Sequence, residues 1–214
     1  MKIFNSLHQI NKDFKKNSIA IGNFDGVHKG HQKIFRQAKK LAKKNKIKFG
    51  ILTFTPLPTI FFNKKFGNYK LTSEDQKFKL FKKYGANFVV NIKFNKNFSE
   101  ISAEKFIKNI IYKKINPKLI FVSNNFKFGN KRKGNVNLLK KFSKKYNYRI
   151  MKISPFKYRE KIISSTRIRK CLQNGYLDSA NKLLSRTWFI DGRVKKGKRL
   201  GRKLGYHTCN IHIK

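Results

Sequence analysis

Three observations predict an α/β fold built on a doubly wound parallel sheet. Short apolar runs alternate with helical stretches along most of the chain, the first run ends in a Gly-punctuated turn that opens straight into a helix, and the texture changes only near the C-terminus. Ser18-Ile-Ala-Ile-Gly22 reads as a strand, Asn23-Phe-Asp-Gly26 as a turn and Gly30 to Lys44 as a helix. In that helix Ile34, Phe35, Ala38, Leu41 and Ala42 recur at spacings of three and four, while Lys39, Lys40, Lys43 and Lys44 fall on the outward face. Phe49-Gly-Ile-Leu-Thr-Phe54 reads as a buried strand, broken by Thr55-Pro-Leu-Pro58.

The alternation resumes at Thr72. A helix over 73–84, a strand over 87–92, a helix over 103–114 and a strand over 119–122 follow in turn. Ser73 with Gln76, close to the capping-box pattern, and Ser102 with Lys105 mark helix starts. A polar loop over 124–135 leads to a helix ending near Tyr146, a strand over 148–153, a Ser-rich helix start at Ile163-Ser-Ser-Thr166, and two short helices up to Leu184. The sheet is therefore Rossmann-like, with ligands expected where the loops gather at the carboxyl ends of its strands. From Trp188 the sequence becomes Gly-punctuated and strand-like, in Phe189 to Val194 and Gly197 to Ile213.

Composition narrows the class. The chain has 214 residues, with 53 Lys or Arg against 9 Asp or Glu, a formal charge of +44, and 39% hydrophobic residues, enough apolar material to exclude disorder along its length. A charge of that size suggests a nucleic-acid binder. The way it is made points elsewhere: Lys outnumbers Arg roughly four to one, is spread over every segment, and with Asn, Ile, Phe and Tyr supplies about half the chain, the bias of an A/T-rich genome. Runs such as Ile60-Phe61-Phe62 fall far short of the roughly 20 apolar residues that span a bilayer. Met1 to Phe14 lacks the apolar stretch of a secretory signal, so a cytoplasmic setting is expected. Cys171 and Cys209 are too few and too far apart for a zinc site and read as reduced thiols.

The chemistry concentrates in Gly22-Asn-Phe-Asp-Gly-Val-His-Lys-Gly-His31. Glycines between a strand and a helix let a phosphate approach the backbone, and the helix start adds unpaired N–H groups with about half a positive charge. His28 and His31, two of only five histidines, bring donors to the same anion, with Gly22, Asn23, Phe24, Asp25 and Gly30 around it. This His-x-Gly-His pattern resembles the signature of the nucleotidylyltransferase superfamily, in which the histidines hold ATP phosphates. Ile163-Ser-Ser-Thr-Arg-Ile-Arg169 resembles a second motif of that superfamily. There Ser165 and Thr166 leave backbone donors free at a helix cap, and Arg169 offers a bidentate clamp.

Four segments in order, Gly22 to Gly26, Phe54 to Pro58, Phe94 to Phe106 and Asn125-Phe-Lys-Phe-Gly129, are similar to the FMN adenylyltransferase module of the bifunctional riboflavin kinase/FMN adenylyltransferase family. Leu57 stands where the family usually has His, and Ser123-Asn-Asn125 departs from its usual Gly and Asp or Asn. The resemblance implies adenylyl transfer from ATP to FMN, giving FAD and pyrophosphate. It assigns His28, His31 and Arg169 to catalysis, and Asn125 and Thr166 to phosphate or adenosine. An apolar slot of Phe54, Pro56, Pro58, Phe62, Phe126 and Phe128 would take the flavin, and magnesium would be held mainly by ATP phosphates.

Gly201-Arg-Lys-Leu-Gly-Tyr-His-Thr-Cys-Asn210 resembles the opening of the family's riboflavin kinase module, where the residues matching Thr208 and Asn210 help hold magnesium-ATP, with His207 replacing Pro and Cys209 replacing Ala. That module is a six-stranded barrel needing at least about 60 residues. The expected organisation is an adenylyltransferase domain over 1–185 and the first strands of an incomplete barrel over 186–214, with kinase activity only if the chain continues past Lys214. Two alternatives stay open: a basic nucleic-acid-binding protein on the same scaffold, and an adenylyltransferase for another mononucleotide. On the enzymatic reading, nucleic acid is an incidental electrostatic ligand, and the positive field speeds capture of the polyanions ATP and FMN. Oligomeric state is not legible.

Overall fold

The computed structural model describes residues 1–63, 70–195, 205–206 and 210–212. Six strands form one sheet: β1 (Lys2–Phe4), β2 (Ser18–Ile21), β3 (Phe49–Thr55), β4 (Phe88–Lys93), β5 (Leu119–Ser123) and β8 (Arg149–Ile153), in the order β1-β4-β3-β2-β5-β8. Every pairing in it is parallel. The fold is the doubly wound α/β arrangement expected. Connections run outward from β2 in one direction to β3 and β4 and in the other to β5 and β8, so the topological switch lies between β2 and β5.

The inner strands are buried on both faces, as a sheet covered by helices requires. Alternate residues divide between two cores. On one face Ile19, Ile21, Leu52, Val90 and Ile120 pack against Phe106, Ile107 and Ile111. On the other, Ala20, Ile51, Val89 and Phe121 pack against Ile34, Phe35 and Ala38 of α1 (Lys29–Lys44) and Phe81 of α3 (Glu74–Lys83). The lysine face of α1 is solvent-exposed, as its periodicity predicts. Ser73 caps α3 through the expected box, its Oγ accepting from the Gln76 N–H at 3.2 Å while Gln76 Oε1 accepts from the Ser73 N–H at 3.1 Å.

Several elements lie outside the sequence reading. β1 adds a short parallel edge to β4. Short helices α2 (Pro58–Phe62) and α4 (Lys96–Ser99) follow the carboxyl ends of β3 and β4. The expected helix after Ser102 starts as α5 (Ala103–Lys105) and continues as a wider π-helical stretch, Phe106–Ile115. The polar loop after β5 holds a small antiparallel ladder, β6 (Lys127–Phe128) with β7 (Gly134–Asn135), before α6 (Val136–Ser143). After β8, a hairpin of β9 (Lys157–Tyr158) and β10 (Lys161–Ile162) precedes α7 (Ser165–Gln173) and α8 (Leu177–Leu184), which close a third small core with Leu71, Ile163 and Ile168. The tail forms an antiparallel pair, β11 (Arg193–Lys195) with β12 (Asn210–His212). Thr208 and Cys209 lie outside the described residues.

Gly50 in β3 sits under the Phe88 ring, where an added Cβ would come within 2.2 Å. Gly50→Ala is expected to lower stability by about 1–3 kcal/mol through overpacking. The check is a urea midpoint that falls with an unchanged slope.

Candidate functional site

At the switch point, β2 ends and the chain turns through Gly22 to His28 into α1. The turn is held in uncommon backbone geometry: Phe24, Gly26 and Val27 have φ of 49°, 78° and 41°. For Phe24 and the β-branched Val27 this costs about 1–3 kcal/mol each, strain that only a well-determined surrounding maintains. The surrounding is visible. Thr53 Oγ1 donates to the Asn23 carbonyl at 3.2 Å, and the Phe24 ring is fixed edge-on against Phe35, at 4.8 Å between centroids, and against His31 at 5.2 Å.

Asp25 is the hub of the turn. Its carboxylate accepts from the Leu71 N–H at 3.0 Å and the Thr72 N–H at 3.3 Å, and it pairs with the Arg169 guanidinium from α7. Ser165 Oγ donates to the Asp25 carbonyl at 2.9 Å. Between described residues this is the only ion pair, in a chain of 53 cations and 9 carboxylates. Burial pushes the Asp25 carboxyl up from its ordinary value, and Arg169, the Leu71 and Thr72 N–H groups and Lys77 pull it back down. With a guanidinium and two backbone donors on its oxygens, the ionised form is the one this geometry satisfies.

His28 and His31 meet at the start of α1. Their rings stack with centroids 3.6 Å apart and an interplanar angle of 22°. His28 is 5% exposed, and the Nδ1 atoms of both rings are buried without a hydrogen-bond partner. Burial, followed by the positive charges of Arg186 and Arg169, pushes His28 down to about 4; burial and then His28 push His31 well below its ordinary value. Both rings are neutral at pH 7. Each carries one N–H donor and one acceptor, available to a ligand at little reorganisation.

The histidines line a cleft of about 860 Å³ at the carboxyl ends of β2, β3, β5 and β8. Of the residues picked out from sequence, Gly22, Asn23, Phe24, Asp25, Gly30, Asn125 and Ser165 join His28 and His31 on its walls. Phe54, Pro58, Phe62, Phe126 and Phe128 line it too. Three do not: Pro56 and Thr166 are exposed outside it, and Arg169 is turned to Asp25. Asn125 stands at the mouth, accepting from Ser123 Oγ at 2.9 Å.

Sequence reasoning missed part of the lining. Phe94, Phe98 and Phe106 extend the aromatic wall, with Phe94 and Phe98 5.5 Å apart and Phe54 and Phe98 5.7 Å apart. Their clustering in Phe94 to Phe106 was the available signal. Ser164 also lines the cleft, while its Oγ caps α7 by accepting from the Arg167 N–H at 3.2 Å. Lys127, Lys131 and Arg132 complete it, hidden in sequence among 53 cations.

A doubly wound sheet with two unpartnered imidazoles at a helix start beside its switch point defines a phosphate-handling, nucleotide-binding site. Comparisons with known proteins place it further. The FAD synthetase family matches residues 10–167, and the riboflavin kinase family matches residues 184–214. The bifunctional riboflavin kinase/FMN adenylyltransferase of Buchnera aphidicola subsp. Schizaphis graminum is 44% identical over all of this chain and 69% of its own length. That of Haemophilus influenzae is 33% identical with the same coverage, and the FAD synthetase of Listeria monocytogenes is 32% identical over 89% of this chain and 77% of its own.

Among solved structures, one described as a macrolide-efflux protein from Streptococcus pneumoniae superposes with a TM-score of 0.81 at 26% identity, over 99% of this chain and 68% of that one. No helix among the described residues is long and apolar enough to cross a membrane. The pantoate-beta-alanine ligase of Francisella tularensis shares the fold, with a TM-score of 0.52 at 15% identity over 96% of this chain and 85% of its own. The chain belongs to the FAD synthetase family, a nucleotidyltransferase family. Its riboflavin kinase match covers only the last segment, where the described residues form a single strand pair and not a barrel.

Two outcomes follow from the site. Replacing Asp25 by Asn removes the carboxylate that Arg169 and the Leu71 and Thr72 N–H groups share, and a loss of about 1–3 kcal/mol is expected; a double-mutant cycle with Arg169→Met, read from urea midpoints, should show the two positions coupled. For His28 the unfolded side chain titrates at 6.5 and the folded one at about 4. Its contribution is therefore fully present above pH 6.5 and lost as pH falls toward 4, a change of about 3 kcal/mol. Melting temperatures of wild type and His28→Asn should converge as the pH is lowered across that window.

Proposed function

We propose that this chain catalyses adenylyl transfer from ATP to FMN in the cleft at the switch point. An oxygen of the FMN phosphate bonds to the α-phosphorus of ATP, the bond from that phosphorus to the bridging oxygen breaks, and pyrophosphate leaves with the electron pair. The observation that carries this reading is one cavity holding both a pair of unpartnered imidazoles at a helix start and a wall of phenylalanines. The first suits a polyphosphate and the second a flat aromatic ring.

A phosphomonoester with its second pKa near 6 is mostly ionised at neutral pH, so the nucleophile needs no general base. This agrees with the lining, whose only carboxylate is Asp25, already paired with Arg169. Catalysis is then positioning and electrostatics. The neutral imidazoles of His28 and His31 donate to phosphate oxygens, and a bound polyanion raises their proton affinity as charge moves onto the leaving group. The starts of α1 and α7 add backbone N–H groups of the same sense. Arg169 acts from behind, holding the turn through Asp25.

Among the described residues no three His, Cys, Asp or Glu side chains are grouped to hold a metal. Magnesium fits this site as part of the substrate MgATP, held by phosphate oxygens with Asn or Ser oxygens beside them. Phe54, Pro58, Phe62, Phe126 and Phe128 would take the isoalloxazine ring, and Asn125 a phosphate or adenosine edge. The proposed module spans 1–185, with 186–214 as the opening of a riboflavin kinase module, in a cytoplasmic setting. Support for that division comes from the separate family matches at 10–167 and 184–214.

The test is FAD production by the purified chain from FMN and MgATP, followed by chromatography. His31→Ala is expected to lower kcat by about 10²–10³, the effect of losing one preorganised donor. Wild-type turnover by that variant would overturn the assignment.

A further inference from the structure

With Arg169 paired to Asp25, the permanent cations that line the cleft among the described residues come from one short segment. Lys127 stands between Phe126 and Phe128 of the aromatic wall, and Lys131 and Arg132 follow a few residues on. No carboxylate of the lining faces them, since the one carboxylate there, Asp25, is neutralised by Arg169. The side chains of Lys131 and Arg132 make no hydrogen bond or ion pair with any described residue.

The backbone beneath these two side chains is built, not loose. Lys131 and Arg132 both sit in the left-handed region, with φ of 49° and 58°, just after Gly129 at 73°. Gly129 lies so close to Ala103 that an added Cβ would come within 2.7 Å of its backbone. The Asn130 N–H donates to the Ile101 carbonyl at 2.8 Å, the Arg132 N–H to the Gly129 carbonyl at 3.0 Å, and the Lys133 N–H to the Asn130 carbonyl at 3.2 Å. Two consecutive non-glycine residues in this region cost free energy that the turn's anchoring must offset. The result is a tight turn fastened to the 101–103 segment, presenting two unpaired cations to a cavity wall.

We propose that Lys131 and Arg132 form the subsite for the terminal phosphate of FMN and so set the preference for FMN over dephosphorylated riboflavin. The inference rests on the adenylyl-transfer reading above and deepens it. A flavin ring seated against Phe126 and Phe128 carries a ribityl chain ending in a dianion, and that dianion needs fixed positive charge separate from the imidazoles that meet ATP. Arg132 supplies a planar fork of donors and Lys131 a point charge. Together they hold the nucleophilic phosphate while reducing its repulsion from the triphosphate. Riboflavin lacks the group they bind.

The experiment compares dissociation constants of FMN, riboflavin and MgATP, the flavins read by fluorescence quenching, for wild type and Lys131→Gln/Arg132→Gln. Both positions are exposed, so the replacements leave the core intact. Expected is a weakening of FMN by about 10- to 100-fold, the effect of losing charge-assisted hydrogen bonds. Riboflavin and MgATP should change less than about twofold, with Arg132→Lys in between. An unchanged ratio of FMN to riboflavin affinity overturns the subsite. Loss of MgATP affinity instead of FMN affinity overturns it too, and moves the cations to the triphosphate. A wild-type chain that makes no FAD and binds neither flavin would sink the adenylyl-transfer reading itself, an outcome distinct from both.

Discussion

The ion pair between Asp25 and Arg169 is the contact on which the site depends. It is buried, with Asp25 at 5% and the Arg169 side chain at 14% exposure, and it spans 144 positions of sequence. One residue, Asp25, ties together the turn that presents the histidines, the Leu71–Thr72 segment and α7, its carboxylate meeting Arg169 and its carbonyl accepting from Ser165. A buried pair of this kind is weak as a source of stability, because both charges leave water to form it. Its value lies in determination. Phe24 and Val27, both at positive φ, flank an Asp25 whose carboxylate is held by Arg169 and by the Leu71 and Thr72 N–H groups.

That arrangement explains a contrast in the electrostatics. The chain is strongly basic, yet the heart of the cleft holds two imidazoles that burial keeps neutral, with Arg186 and Arg169 adding to the effect at His28 and His28 adding to it at His31. Lys39, Lys40, Lys43 and Lys44 of α1 lie on its solvent face. Among the described residues, permanent charge enters the cleft beside the aromatic wall, at Lys127, Lys131 and Arg132. Net charge therefore describes how the protein meets polyanions at a distance, and the local geometry describes what it does with them.

The sheet was legible because each inner strand is a short apolar run and each covering helix keeps its period, so burial and pattern agree from β2 through β8. The edges were not. β1 is only Lys-Ile-Phe, held by pairing with β4 and not by any local signal, and the ladders β6–β7 and β9–β10 are two residues a strand. At the site, histidines and glycines are scarce enough to stand out, and the residues flagged on that ground gather on one cavity. Arg169 shows the limit. A cation beside a phosphate motif reads as a phosphate ligand, and only the fold reveals that a carboxylate 144 positions away also pairs with it. Lys131 and Arg132 carry the opposite lesson, since lysines and arginines in a lysine-rich chain have no contrast against their background.

The Leu71–Thr72 segment has a second set of partners. Trp188 Nε1 donates to the Leu71 carbonyl at 3.0 Å, and Gln76 Nε2 donates to the Phe189 carbonyl at 3.3 Å and to Asp191 at 2.9 Å. The opening of the segment that matches the riboflavin kinase family is thus clipped to the same strap that grips Asp25. Anyone cutting the molecule must reckon with this: a break placed between 167 and 184, where the two family matches part, leaves the Leu71 carbonyl without its indole. The opening of that second matched segment is, in mechanical terms, also a brace for the turn that presents the histidines.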